Sequence, residues 1–142
     1  FDRTIPRARD IALEGREGKP VGAAFVLGNA EEIQTHTHQM IINPFSGLPD
    51  SDRNVLDPSL EETIKEFCKI DGAFVIGGDG VVASAGTYLS VARQSLHHDS
   101  GHGARHASAQ AITAACDCVS IVVSESTRRI SVFRGGELME ME

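Results

Sequence analysis

No apolar run in the sequence approaches the ~20 residues that a membrane-spanning helix requires. No secretory leader pattern opens the chain either. The first residue is Phe1 rather than Met, and residues 1–142 read as a single domain cut from a longer chain. Basic residues are scarce: 13 Lys and Arg stand against 20 Asp and Glu, for a formal net charge of −7. That balance argues against a nucleic-acid binder that works by neutralising phosphates along a basic face. It leaves room for a small polyphosphate, which a few local arginines can hold, and Arg128 and Arg129 are adjacent while Arg105 stands alone. Cysteine is scarce too. Cys68, Cys116 and Cys118 are odd in number and lack a framework spacing, which points to free thiols in a reducing compartment, the cytoplasm. Cys116-x-Cys118 lacks the C-x-x-C spacing of zinc and redox sites, so the cysteines read as small buried hydrophobes. Low-complexity segments are absent. What remains is ordinary globular sequence, 41% apolar and 23% charged.

The hydrophobic pattern switches repeatedly between helical and strand periods. Ile5, Ala8, Ile11 and Ala12 recur at helical spacing over residues 4–14, and Gly15 and Gly18 end the run. VGAAFVLG, residues 21–28, is a continuous apolar run, as expected for a strand buried on both faces. Asn29 then reads as a helix N-cap with acidic residues in the first turn. QMIINPF, residues 39–45, predicts a second short strand stopped by Pro44, and residues 45–59 are polar and proline-rich loop. Asp57 and Pro58 look like an N-cap and first helical position, and Leu60, Ile64 and Phe67 predict an amphipathic helix over 58–69.

GAFVIGGDGVVASAGTYL predicts two strands joined by a tight GGDG hairpin, because such turns favour positive φ. Residues 90–104 read as loop or short helix, ARHASAQAITAACD as a helix of small residues, and VSIVVSE as another buried strand. STRR is a turn, and ISVFRGGEL a closing strand with a hairpin. Helices interleaved with buried strands and hairpins imply an α/β fold, with a mixed, mostly buried β-sheet flanked by helices on both faces.

Four constellations can carry chemistry. Asp71 sits between a helix end and a buried strand, where a carboxylate faces a cleft from a rigid scaffold; taken alone, Asp71-Gly72 reads as a turn. In GHGARHASA, Gly101 and Gly103 let the backbone approach a ligand. A helix starting near Arg105 would aim unpaired N–H groups and its positive dipole end at an anion. Arg105 adds a fork suited to phosphate oxygens, and Ser108 a hydroxyl one turn later. The bland alternative is a loop-to-helix junction, and the dinucleotide pattern G-x-G-x-x-G fails because position 106 is His. His97, His98, His102 and His106 invite a metal reading, but the glycines interrupt any helix that would align them, so a zinc site ranks below a phosphate site. Ser124 and Glu125 end a buried strand, at the edge where open α/β sheets usually bind ligands.

In order, these pieces resemble the diadenylate cyclase domain family, which condenses two ATP into cyclic di-AMP. The matching motifs are Asp71-Gly72-Ala73, Tyr88-Leu89, Gly103-Ala104-Arg105-His106-Ala107-Ser108-Ala109 and Val122-Val123-Ser124-Glu125. Each is weak alone; the ordered set is specific. The resemblance implies that Asp71 serves the attacking ribose 3′-hydroxyl, with a divalent metal, Mg²⁺ or Mn²⁺, near the phosphates. It implies that Asp71, Arg105 and His106 are catalytic and that Asp71 holds the metal. Gly103, Ala104, Arg105, His106 and Ser108 would hold the triphosphate, and Ser124 and Glu125 would lie near phosphates and metal. Gly72, Ala73, Thr87, Tyr88 and Leu89 complete the nucleotide site, with Tyr88 and the Leu89 backbone against adenine. A two-fold product implies a face-to-face homodimer or a higher homo-oligomer. Neither nucleic acid nor membrane is an expected partner of this segment.

One departure matters. The family usually has Arg-His-Arg, whereas this chain has Arg105-His106-Ala107. Losing one charge-assisted contact of roughly 1.5–3 kcal/mol would weaken ATP holding about ten- to a hundredfold, unless Arg93 or the Arg128–Arg129 pair substitutes. Two rivals follow. One is a catalytically weak or silent nucleotide-binding module on the same fold, and the other a metallohydrolase built on the histidines.

Overall fold

Six consecutive buried residues, Ala23–Gly28, form β1, the strand around which the sheet is organised. In this computed structural model, residues 3–15, 22–39, 41–90 and 104–141 are described. Before β1 comes helix α1, Thr4–Glu14, and after it α2, Ala30–Gln34. The Asn29 side chain caps α2 by accepting from the Glu32 N–H. Next come β2, Thr37–Gln39, and α3, Glu61–Phe67, the latter preceded by a 3-10 turn at Pro58–Leu60. Strands β3, Ala73–Gly77, and β4, Val82–Leu89, form the GGDG hairpin. Helix α4, Ala104–Ala115, leads into β5, Cys118–Val123, and the chain closes with the hairpin of β6, Ile130–Arg134, and β7, Glu137–Met141.

Among the described residues the sheet has seven strands in the order β2-β4-β3-β1-β5-β6-β7. β1 runs parallel to β3 and antiparallel to β5, and the remaining neighbours pair antiparallel. The fold is therefore a mixed α/β sheet with helices on both faces. Alternation along the strands divides the core in two. Phe25, Leu27, Phe74, Ile76, Ile121 and Val123 face α1 and α3, where Ala8, Ile11 and Ile64 meet them. Ala24, Val26, Val75 and Val122 face α2 and α4, where Ile33, Ala109 and Ile112 cover them. Phe25 and Phe74, in register on parallel strands, stack with ring centroids 5.1 Å apart.

Two boundaries depart from the sequence reading. The second strand is Thr37–Gln39, and residues 41–43 run on outside any strand, with Ile42 90% exposed. The apolar pair Ile41-Ile42 suggested a strand, but β4 offers its pairing edge to Thr37, His38 and Gln39 instead. The expected helix over 58–69 is a 3-10 turn followed by an α-helix ending at Phe67, with Asp57 capping through the Ser59 N–H. The cysteines are free; Cys68 and Cys118 are buried and Cys116 is half-buried. Burial pushes the Cys68 thiol up to about 12 and the Cys118 thiol up as well, so neither is a reactive nucleophile.

Charge ties α1 to α3. Lys65, 3% exposed, donates from Nζ to Glu14 Oε1 at 2.8 Å and lies 3.6 Å from Glu61 and 3.4 Å from Glu62. Arg7 joins from α1, 3.2 Å from Glu61, and donates from Nε to the Val55 carbonyl. The hydrogen bond to Glu14, helped by the neighbouring carboxylates, raises the Lys65 pKa; the same bond lowers that of Glu14. A lowered carboxyl pKa stabilises the fold above its unfolded value of about 4.3, and that contribution is lost as pH falls through the folded value. In urea titrations, Glu14→Gln is expected to be less stable than wild type at pH 7, with the gap closing as pH drops below ~4. Phe25→Ala, which empties a fully buried site beside Phe74, should cost about 3–5 kcal/mol in the same measurement.

Candidate active site

The antiparallel pairing of β5 with β1 decides which strand ends coincide. Ala23 at the start of β1 lies opposite Val123 at the end of β5, and Ala73 at the start of β3 lies opposite Thr87 near the end of β4. Gly22, Asp71-Gly72, Thr87-Tyr88-Leu89 and Ser124-Glu125 therefore gather at one end of the sheet. This is the N-terminal end of the two parallel strands, not the C-terminal end where doubly wound sheets bind ligands. Ser124 and Glu125 reach it because β5 runs the other way.

Two recesses open there. The first, about 180 Å³, is lined by Ala24, Asp71, Gly72, Ala73, Thr87, Tyr88, Leu89, Arg105 and Ser108. The second, about 620 Å³ and more open, shares Asp71 and Arg105 and adds His106, Val122, Val123, Ser124, Glu125 and Ser126. The first turn of α4 lies between them. Its residues Arg105, His106 and Ser108 bring the positive end of the helix dipole to the recess walls. Apolar wall on one side and cationic, hydroxyl-bearing wall on the other suit a ligand with a flat apolar part and a polyanionic tail.

Asp71 is held at both oxygens. Its Oδ1 accepts from the Gly72 N–H at 3.0 Å, and its Oδ2 accepts from the Tyr88 hydroxyl at 2.9 Å. That bond pushes the Tyr88 phenol above the ordinary tyrosine value, because ionising it would remove the donor and set two negative charges together. Thr87 is buried, and its hydroxyl meets Ser84 Oγ at 2.6 Å and donates to Gln39 Oε1 at 2.9 Å. Gln39 in turn donates to the carbonyls of Ala85 and Gly86. Thr87 thus contributes its position, while its hydroxyl is spent inside the sheet. Across the wider recess, Ser124 Oγ lies 3.3 Å from Ser126 Oγ and accepts from the Thr127 N–H, which shapes the turn after β5.

The structure thus brings together Asp71, Gly72, Ala73, Thr87, Tyr88, Leu89, Arg105, His106, Ser108, Ser124 and Glu125. Ala104 is the first residue of α4; Gly101 and Gly103 lie outside the described residues, as do Arg93, His97, His98 and His102. Arg128 and Arg129, offered as substitutes for a second arginine, line neither recess, and Arg105 is the only arginine lining either among the described residues. Ala107 is buried, 7% exposed, and lines neither. Sequence reasoning missed Ala24, which floors the first recess from β1, and Gly22 beside it. A Cβ on Gly22 would stand 2.8 Å from Arg105 Nη1. Their only signal was their place at the head of a buried strand.

Gly72 is hemmed in by backbone. Its φ is +104°, and a Cβ there would come within 2.8 Å of the Gly86 carbonyl carbon and the Thr87 nitrogen. Gly72→Ala should therefore cost at least about 2 kcal/mol in thermal or urea unfolding. In Gly22→Ala the close contact is the far end of the Arg105 side chain, with Glu125 Cβ at an ordinary 3.4 Å, so the change should cost less than about 1 kcal/mol while displacing Arg105. Reduced binding of pyrophosphate or ATP with an unchanged melting transition is the expected pair of results for Gly22→Ala.

Known proteins resemble this chain in sequence and in fold. The family model described as DisA bacterial checkpoint controller nucleotide-binding matches residues 10–138. A diadenylate cyclase of Methanocaldococcus jannaschii is 36% identical over 135 residues, 95% of this chain and 42% of that protein. One of Haloferax volcanii is 36% identical over 132 residues, 93% of this chain and 48% of that protein. The chain therefore spans less than half the length of these curated relatives. Among solved structures, DacA from Staphylococcus aureus superposes with a TM-score of 0.65 at 24% identity, over 97% of this chain and 85% of that one. A hypothetical membrane spanning protein from Bacillus cereus gives a TM-score of 0.69 at 23% identity, over 99% of this chain and 63% of that one. With the family match spanning both strands of the hairpin, α4 and the turn after β5, the chain belongs to the DisA bacterial checkpoint controller nucleotide-binding family, the diadenylate cyclase domain.

Proposed function

We propose that this chain is the catalytic domain of a cytoplasmic diadenylate cyclase, which joins two ATP molecules into cyclic di-AMP and releases two pyrophosphates. One observation carries the reading: Asp71, Tyr88, Arg105, Ser108 and Glu125, drawn from four separate segments, border one connected pair of recesses. Family membership supplies the substrate class.

In this reading Ala73, Thr87, Tyr88 and Leu89 receive adenine and ribose in the smaller recess, above the floor made by Ala24 and Gly72. The triphosphate lies along the first turn of α4. Arg105 offers a two-pronged donor to nonbridging oxygens, and Ser108 and His106 add further donors. The 3′-oxygen of each ATP attacks the α-phosphorus of the other. A new P–O bond forms, the bond to pyrophosphate breaks, and the hydroxyl proton passes to the Asp71 carboxylate. Such transfer depends on positioning and charge neutralisation more than on covalent help. The ring has two equivalent bonds, so two copies of the domain face each other, as a dimer or within a larger homo-oligomer.

The residues fit a hard divalent cation. Asp71 and Glu125 both border the wider recess and present carboxylate oxygens, with Ser124 beside them. Mg²⁺ and Mn²⁺ suit one or two carboxylates plus substrate phosphates, so a closed three-residue cage is not required. When bound, the ion would supply charge neutralisation at the phosphates.

Incubation of the protein with ATP and Mg²⁺ or Mn²⁺ is expected to yield cyclic di-AMP and pyrophosphate. Asp71→Asn should keep ATP affinity by calorimetry and lose turnover by about 10²–10⁴-fold. Arg105→Ala should weaken ATP binding by roughly ten- to a hundredfold. A second reading, a silent nucleotide-binding module, is favoured by Arg105 being the only arginine bordering the recesses among the described residues. Tight ATP binding without product under either metal would select it.

A further inference from the structure

Tyr88 does more than border the recess. Its hydroxyl donates to Asp71 Oδ2 at 2.9 Å, while Asp71 Oδ1 takes the Gly72 N–H at 3.0 Å. The two donors reach the carboxylate from different elements, one from the end of β4 and one from the turn before β3. A carboxylate held at one oxygen rotates about that bond; held at both, its plane is fixed. Each oxygen keeps a lone-pair direction for a further donor. We propose that Tyr88 is a positioning residue: its phenol orients the Asp71 carboxylate toward the reacting hydroxyl. This rests on the cyclase reading for the role of Asp71.

Several features support it. Tyr88 is anchored at its backbone, since it pairs with His38 across the β2–β4 ladder, so the phenol is delivered from a fixed strand rather than a loop. The neighbouring Thr87 is locked through Ser84 and Gln39, which fixes the strand end that carries Tyr88. The Gly72 backbone approaches Gly86 and Thr87 so closely that a Cβ there would collide, which holds the Asp71 turn against the same strand end. Donor and acceptor thus sit on two segments that cannot drift apart independently.

The composition provides a direct probe. Tyr88 is the only tyrosine and the chain has no tryptophan, so ultraviolet-excited emission near the tyrosine band comes from this residue alone. A phenol hydrogen-bonded to a carboxylate is quenched. Asp71→Asn and Asp71→Ala should therefore brighten the emission at pH 7, with circular dichroism reporting that the fold is retained. Equal emission in wild type and both variants would overturn the contact, whatever the activity. The second arm is kinetic. Tyr88→Phe keeps the ring and loses the donor, so kcat should fall by about tenfold with KM for ATP within about twofold of wild type. An unchanged kcat, or a loss confined to KM, would overturn the positioning role and leave Tyr88 as an adenine contact only. Failure of the cyclase reading looks different: wild type makes no product, while the Asp71 variants still brighten.

Discussion

The two unlike neighbours of β1 fix where everything else lies. With β3 parallel on one side and β5 antiparallel on the other, the start of β1 coincides with the start of β3 and with the end of β5. Asp71, just before β3, and Ser124-Glu125, just after β5, are brought to one edge by that arrangement alone. The hairpin adds the end of β4 with Tyr88, and α4, crossing back over the sheet before β5, starts at the same edge with Arg105. If β5 ran parallel to β1, the late serine and glutamate would lie at the far end of the sheet. The core enforces the pairing, since β1 and β5 are buried along their whole lengths and a slip of one residue would exchange the two apolar faces.

An acidic protein can hold a polyanion when its positive charge is concentrated. The chain carries a net −7, yet the wall where the phosphates are proposed to lie is made of the α4 N-terminus, Arg105, His106 and Ser108. The carboxylates there, Asp71 and Glu125, face the same space, an arrangement that suits a bridging cation between protein and phosphate. The α1–α3 charge cluster, by contrast, is self-contained: Lys65 is surrounded by three glutamates on its own side of the sheet and takes no part in either recess.

Much of the fold was legible because local signals agreed with the global pattern. Asn29 and Asp57 cap as their side chains predict, the GGDG turn closes the β3–β4 hairpin, and the apolar runs at 21–28 and 119–125 cover β1 and all but the first residue of β5. The second strand was misplaced because the Ile41-Ile42 pair looked like core, whereas β4 pairs with the more polar Thr37–Gln39. The site was legible as motifs but not as a place. Spacing along the chain does not reveal that β5 is antiparallel, so the usual rule for parallel sheets pointed to Ser124 and Glu125 by a route the topology does not follow. Gly22, Ala24 and Gln39 carry no chemical signature; a glycine, an alanine and a strand glutamine acquire meaning only once Arg105, the recess floor and Thr87 are seen beside them. The Tyr88–Asp71 bond likewise joins residues from two ends of a hairpin whose register is interrupted by shifts between Ala73 and Ile76.

The same pairing has a temporal side. Ala23 is in register with Val123, 100 residues further on, and Phe25 with Phe74, 49 further on, so the middle of the sheet joins segments distant in the chain. Contacts of such sequence separation close slowly, because long loops must be ordered before any burial repays them. As the polypeptide emerges from the ribosome, β1 meets β3 early but keeps its other edge bare until β5 arrives. The buried, apolar edge of β1 then waits unpaired, which is the condition under which nascent chains adhere to one another. Folding of this domain is thus tied to completion of its last third, and the proposed active site, whose walls come from both β3 and β5, comes into being only at that final step.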